Sequence, residues 1–284
     1  MTASLADVVA TLENLYPPTT AEGWDAVGLV TGDPAAPAHK VLFAVDPVAE
    51  VVDEALDWGA DLLVTHHPLF LRPVHSVAAT TFKGAVVHRL LAGGCGLYVA
   101  HTNADAAPRG VADALADLVG IVDRAPLVAR EDDAERGIGR VGRLARPSTL
   151  EDFARHVANV LPATAQGVRV AGDLSATVTT AAVVGGSGDS LFDAVRAASA
   201  DVYVTADLRH HPASELRERA LFEAAGPRGG SPTPYLVDVA HFASEWPWLA
   251  YAADDLTARL AEGTVTTKVS TLATDPWTTR LASR

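Results

Sequence analysis

A chain of 284 residues, 49% hydrophobic and 20% charged, has the composition of a globular protein and the length for two domains. Its net charge of −13, with 22 scattered Lys and Arg, argues against a broad nucleic-acid-binding face and would concentrate cations near the surface. One cysteine, Cys95, rules out a disulfide framework within the chain, and no apolar run approaches the ~20 residues that cross a bilayer.

In chain order, "MTASLADVVATLENLYPP" reads as an amphipathic helix with Leu5, Val8, Val9 and Leu12 on one face, not as a signal peptide. Together with the single cysteine this makes a cytoplasmic protein the expectation. Residues 41–67, "VLFAVDPVAEVVDEALDWGADLLVTHH", read as strand, helix, strand. Asp46 is the expected N-cap, Pro47 the first helical residue, and Gly59 the stop. Val51, Val52, Ala55 and Leu56 follow at helical spacing. Cys95, among glycines in "LLAGGCGLYVA", reads as a packed small residue in preference to a catalytic thiol. "LYVA" is a strand running into His101, with Asp105 four residues on and Pro108 opening a helix. A charged, glycine-bearing stretch from Arg130 reads as a linker, and "PSTLEDF" starts a helix capped by Ser148 or Thr149. The expected lobes are residues 1–125 with 240–284, carrying the metal-binding side chains, and residues 126–239.

Residues 181–207, "AAVVGGSGDSLFDAVRAASADVYVTAD", repeat the earlier order of strand, turn, helix, strand. The fold class is therefore α/β, as two similar lobes, each a mixed or parallel sheet flanked by helices. Where one copy ends in His66 and His67 the other has Ala206 and Asp207, so the strand ending does not itself demand histidine.

Ligands of open α/β sheets gather outside the carboxyl ends of strands, which is where His66 and His67 fall. Two further strand ends offer ligands: His101 with Asp105, and, after "YLVDV", His241 with Glu245. Each pair alone admits a bland reading: Asp105 caps a loop and His101 is a polar strand end, and His241 with Glu245 is an exposed i,i+4 pair. Together, His66, His67, Asp105, His241 and Glu245 make a mixed nitrogen and oxygen set without thiolate. That set suits two ions of Zn²⁺, Mn²⁺, Fe²⁺ or Co²⁺ better than Ca²⁺.

At these residues the chain resembles the Nif-three-like dinuclear-metal family, often described as GTP cyclohydrolase type 2 homologues and including YbgI-like proteins. The resemblance runs over nearly the whole chain, through "WDAVGL", "GADLLVTHHPLF", "HTNADAAPRGV", "VVGGSG", "ADVYVTADLRHH", "DVAHFASEWPWL" and "TDPW". It implies the metal ligands His66, His67, Asp105, His241 and Glu245, two divalent ions per chain, and a ring-shaped homohexamer. Ala26 and Val48 stand where many relatives have Asn and Thr, and the short charged stretch stands where some relatives carry an extra domain.

Two ions sharing a hydroxide support hydrolysis at a phosphoryl, amide or purine ring carbon. The expected reading is a metal-dependent hydrolase, GTP cyclohydrolase type 2-like, acting on a nucleotide or other small substrate. The alternative is a non-catalytic, metal-responsive or protein-binding hexamer. His101 takes general acid–base duty or orients a ligand from behind it. "VVGGSGDSLF" is a phosphate cradle or a tight turn between packed elements. Trp24 reads as core and Asp25 as a wall of the site, and His210 and His211 are not counted as ligands.

Overall fold

The computed structural model describes residues 3–227 and 229–282. Among them run eleven strands: β1 Gly28–Thr31, β2 Lys40–Ala44, β3 Leu62–Thr65, β4 Gly96–Val99, β5 Ile121–Ala129, β6 Gly137–Thr149, β7 Arg169–Ala171, β8 Thr177–Ser187, β9 Val202–Ala206, β10 Tyr235–Val239 and β11 Thr266–Val269. The chain divides into two compact units, residues up to 107 with 249–274, and residues 108–248 with those from 275 on. The units thus part at 107, where the sequence suggested 125, and residues 240–248 belong with the second. The reason is the helix Val111–Val119, which packs its apolar side under β6 and β8. The stretch read as a linker is largely β6, a 13-residue strand paired antiparallel with β5 and β8.

The first unit is a five-stranded sheet in the order β1-β4-β3-β2-β11, parallel except for β1. All four residues of β3 are buried, as the unbroken apolar run of a central parallel strand requires. Leu42, Leu63 and Leu97 pack beneath the helices Ala49–Trp58 and Phe82–Ala92. The N-terminal helix runs Leu5–Leu15, with Ser4 and Asp7 forming a capping box and Leu5, Val8, Leu12 and Leu15 buried.

The second unit is a six-stranded mixed sheet, β5-β6-β8-β9-β10-β7, with β8, β9 and β10 parallel. Its core holds Leu115, Phe153, Val178, Val202 and Val237. Thr149 caps the helix Leu150–Val160 by accepting from Asp152 N–H, and the helix read as opening at Pro108 begins at Val111 with Gly110 as its cap.

The duplication is visible in hydrogen bonds as well as in order. Asp61 Oδ2 accepts from the backbone N–H groups of His39 and Lys40. Asp201, at the matching position, accepts from those of Thr179 and Thr180. In each copy one aspartate ties the start of the middle strand to the start of its neighbour. The helix after β2 begins at Ala49, with Val48 as N-cap and no side-chain hydrogen bond, and ends at Gly59 in the left-handed region. Asp46 is therefore not the cap, and its carboxylate is used elsewhere.

Cys95 is 1% exposed, and burial pushes its thiol up to about 12. Since only the thiolate reacts, the native protein at pH 8 is expected to take up no iodoacetamide adduct by intact mass, whereas the urea-unfolded chain takes up one. An adduct on the native protein would contradict this packing. None of the described helices is long and apolar enough to cross a membrane.

Candidate metal centre

In the first unit β3 and β4 end side by side, and their carboxyl ends deliver His66, His67 and His101 to one place. One ring nitrogen of each lies within 4.8 Å of the others, and the ring centroids stand 5.1 to 5.6 Å apart. Asp105, on the short helix Thr102–Ala106, brings Oδ1 to 3.7 Å from His66 Nε2. His66 is fully buried, and the other three side chains are 15 to 22% exposed. A buried imidazole beside two others is costly unless each nitrogen is used.

The Nδ1 atoms are all engaged. His66 Nδ1 lies 2.9 Å from the carbonyl oxygen of Ala100, which can only accept, so this nitrogen donates. His67 Nδ1 donates to Asp46 Oδ1 at 2.7 Å, and the hydroxyl of Thr274 holds the other oxygen of that carboxylate. His101 Nδ1 donates to Asp25 Oδ1 at 2.9 Å. Burial raises the pKa of Asp25, but hydrogen bonds from His101 and Thr102 outweigh it and hold the carboxyl well below the usual range. Asp25 is therefore ionised at neutral pH, and its grip on His101 is lost only as pH falls through that depressed value. Trp24, read as core, is 58% exposed and sets its ring edge-on to His101 at 6.0 Å. It covers the histidine and is not packed in the interior.

In the second unit the helix His241–Glu245 follows β10 directly. His241 Nδ1 donates to Asp207 Oδ2 at 2.7 Å, and His241 Nε2 faces Glu245 Oε1 at 2.9 Å. Asp207 has φ of 55°, a left-handed conformation that a non-glycine residue seldom adopts and that Asp tolerates better than most. The irregular end of β8 presses its backbone on this pair: Gly186, at φ 68°, has no room for a Cβ, which would stand 2.6 Å from Glu245 Oε1 and 3.2 Å from His241 Nε2. The Gly186 N–H donates to Ser244 Oγ and its carbonyl accepts from Thr205 Oγ1. The glycine motif is thus neither phosphate cradle nor simple turn at Gly186 but an irregular strand end whose backbone closely approaches the His–Glu pair. His210 and His211 open the helix His210–Ala224, exposed on the surface.

The donor chemistry fits a divalent transition metal. With Nδ1–H as the donor, the neutral form of each of these four rings carries its lone pair on Nε2, the arrangement in which a carboxylate or carbonyl behind a histidine fixes it for metal binding. Between His241 Nε2 and Glu245 Oε1, two acceptors at 2.9 Å call for a cation or a proton. Atoms sharing one metal at about 2.0–2.2 Å each stand about 3 Å apart.

Each sequence-expected ligand is therefore in such a setting within its own unit: His66, His67 and Asp105 in the first, His241 and Glu245 in the second. His101 joins the first group as closely as the expected ligands do. Sequence reasoning missed Asp46 and Asp207 as the carboxylates behind His67 and His241. It also missed that "VAHTNAD" at 99–105 and "VAHFASE" at 239–245 are the same element in the two copies, pairing His101 with His241 and Asp105 with Glu245. That match is readable by eye once the duplication is extended by one strand.

Asp46→Asn keeps the shape but removes the charge behind His67. Metal affinity is expected to fall about 10–100-fold, the usual cost of such a loss, in a competitive chelator titration. An unchanged affinity would mean that His67 needs no orienting carboxylate.

Residues 3–276 match the model of the family described as Duf34/NIF3 (NGG1p interacting factor 3). A Streptomyces coelicolor protein bearing the name GTP cyclohydrolase 1 type 2 homolog is 52% identical, over 98% of this chain and 95% of that protein. A Mycobacterium tuberculosis protein of the same name is 35% identical over 98% and 97%, in an alignment of 383 positions that leaves it longer than this chain. Among solved structures, a Staphylococcus aureus hypothetical protein superposes with a TM-score of 0.85 at 25% identity, covering 98% of this chain and 99% of that one.

Proposed function

From the premise that this chain belongs to the Duf34/NIF3 family, we propose that it is a metal-dependent hydrolase holding two divalent ions on His66, His67, Asp105, His241 and Glu245. The observation that carries this reading is the uniform use of Nδ1: four histidines at strand ends each have that atom held by an acceptor, so in the neutral ring the lone pair falls on Nε2, where His66, His67 and His241 would meet a metal and His101 a proton. A structural role alone would not require the same tautomer four times. Two bound divalent ions would supply Lewis-acid polarisation of the scissile group and a nucleophile at neutral pH.

The remaining work falls to side chains. His101, with Nδ1 held by Asp25, takes up or releases a proton at Nε2. Trp24, edge-on to the same ring, limits the access of bulk water to it. The substrate we propose is a nucleotide, in keeping with the name carried by the relatives, and the assembly a homohexamer.

The test is metal content followed by turnover. Protein loaded with Zn²⁺, Mn²⁺, Fe²⁺ or Co²⁺ is expected to carry two ions per chain and to hydrolyse a member of a nucleoside triphosphate panel. His67→Ala is expected to lose both properties with its circular dichroism and light-scattering mass, that of six chains, unchanged. A loaded sample that takes up no transition metal defeats the proposal. Two ions per chain with no turnover across the panel defeats the hydrolase and leaves a metal-binding assembly.

A further inference from the structure

The second unit has a cleft of about 600 Å³ beside Asp207, lined also by Gln166, Val168, Arg169, Trp277 and Arg280. Its size is that of a small-molecule site. Three features set it apart from an ordinary surface depression. Trp277 is 67% exposed although it is the largest apolar side chain lining the cleft. An indole left in water offers a flat face on which a planar ring can stack. The lining also carries two guanidiniums, Arg280 and an Arg169 that pairs with Asp238, beside the carboxylate of Asp207. Arg169 is held in place by Asp238, whose Oδ2 accepts from Arg169 Nε at 2.7 Å and from Gln166 Nε2 at 3.1 Å. Asp238 is itself buried, so it braces the guanidinium from beneath, and Arg169 remains 60% exposed. Arg280 Nη1 lies 3.5 Å from the Gln166 carbonyl oxygen, across the same rim. Finally, the one acidic lining residue, Asp207, is the group that holds His241. A ligand in the cleft therefore sits against the back of a metal-binding histidine.

We infer that this cleft is a nucleotide subsite: the base stacks on Trp277, and the phosphates meet the guanidiniums of Arg280 and Arg169. The inference deepens the hydrolase reading and rests on it for what becomes of the bound nucleotide, though not for binding itself. Planar rings and anionic oxygens are the two chemistries that an indole and a pair of guanidiniums recognise together.

The test is isothermal titration of the full chain with GTP, guanosine and tripolyphosphate, with and without Mn²⁺. GTP is expected to bind at least tenfold more tightly than either fragment. Trp277→Ala should weaken GTP and guanosine about tenfold or more, while Trp277→Phe, which keeps a ring face, stays within about threefold of the natural protein. Arg280→Gln should weaken GTP and tripolyphosphate and leave guanosine unchanged. Absence of GTP binding, or GTP binding that Trp277→Ala and Arg280→Gln leave intact, overturns the subsite. Turnover of GTP that both variants leave untouched overturns the subsite and spares the hydrolase. Trp277-dependent binding without turnover supports the subsite and removes the hydrolase.

Discussion

Gly186→Ala is expected to lower metal affinity by at least the 10–100-fold that attends loss of a supporting residue, although Gly186 offers no ligand side chain. The added methyl would stand 2.6 Å from Glu245 Oε1 and 3.2 Å from His241 Nε2, well inside van der Waals contact. Something must move, and the backbone on the other side is tied: Gly186 N–H to Ser244 Oγ at 2.8 Å, and Ser244 Oγ in turn to the His241 carbonyl. The side chain that yields is Glu245, which is 4% exposed and has little room to settle again. The backbone adds its own cost, since φ of 68° disfavours alanine by about 1–2 kcal/mol. Gly167→Ala separates the two effects: it has φ of 65° with nothing near its Cβ position, so it should lose stability alone. Affinity is read by chelator competition and stability by urea unfolding. A Gly186→Ala protein that binds metal like the natural one would remove Glu245 from the ligand set.

The largest loss of stability is expected from Asp113→Ala, about 3–5 kcal/mol, the range for a buried ion pair broken on one side. Arg140 is 2% exposed and grips Asp113 with two bonds, Nε to Oδ1 at 2.8 Å and Nη2 to Oδ2 at 3.0 Å. Asp113 lies in the first turn of the helix Val111–Val119, and Arg140 on β6, so the pair pins that helix to the sheet. The carboxylate also accepts from Arg109 N–H and meets Arg124 Nε at 2.6 Å. Removing it leaves a buried guanidinium without the carboxylate it grips, its Nη1 still donating to the carbonyls of Gly137 and Gly139. The pair need not be a net source of stability, because desolvating two charges offsets most of their attraction. Asp113→Leu with Arg140→Met is therefore expected to recover most of the loss, as read by urea unfolding of both variants. If Asp113→Ala costs less than about 1 kcal/mol, the pair is more hydrated than its burial implies.

Much of the scaffold was legible because its signals are local. The unbroken apolar run of β3, the left-handed stop at Gly59 and the alternation of strand and helix depend on residues near in sequence. The same holds for Thr149, whose hydroxyl reaches only three residues forward. β6 was misread because charge and glycine in "RGIGRVGRLARP" imitate a linker. The strand exists through its pairing with β5 and β8, which composition does not reveal.

For the site, the residue types and their placement at strand ends follow from the sequence alone. Within each unit the parallel strands bring their carboxyl ends to one edge of that unit's sheet, where His66, His67, His101 and Asp105 stand in the first unit and His241 and Glu245 in the second. What only tertiary structure decided is which acceptor stands behind each imidazole. Asp46 serves His67 rather than the nearby helix, Asp25 reaches His101 from 76 residues away, and Asp207 turns into the left-handed region to meet His241. A hydrogen bond selects its partner by distance in space, and packing of the sheets sets that distance, so no local pattern in the chain can specify it.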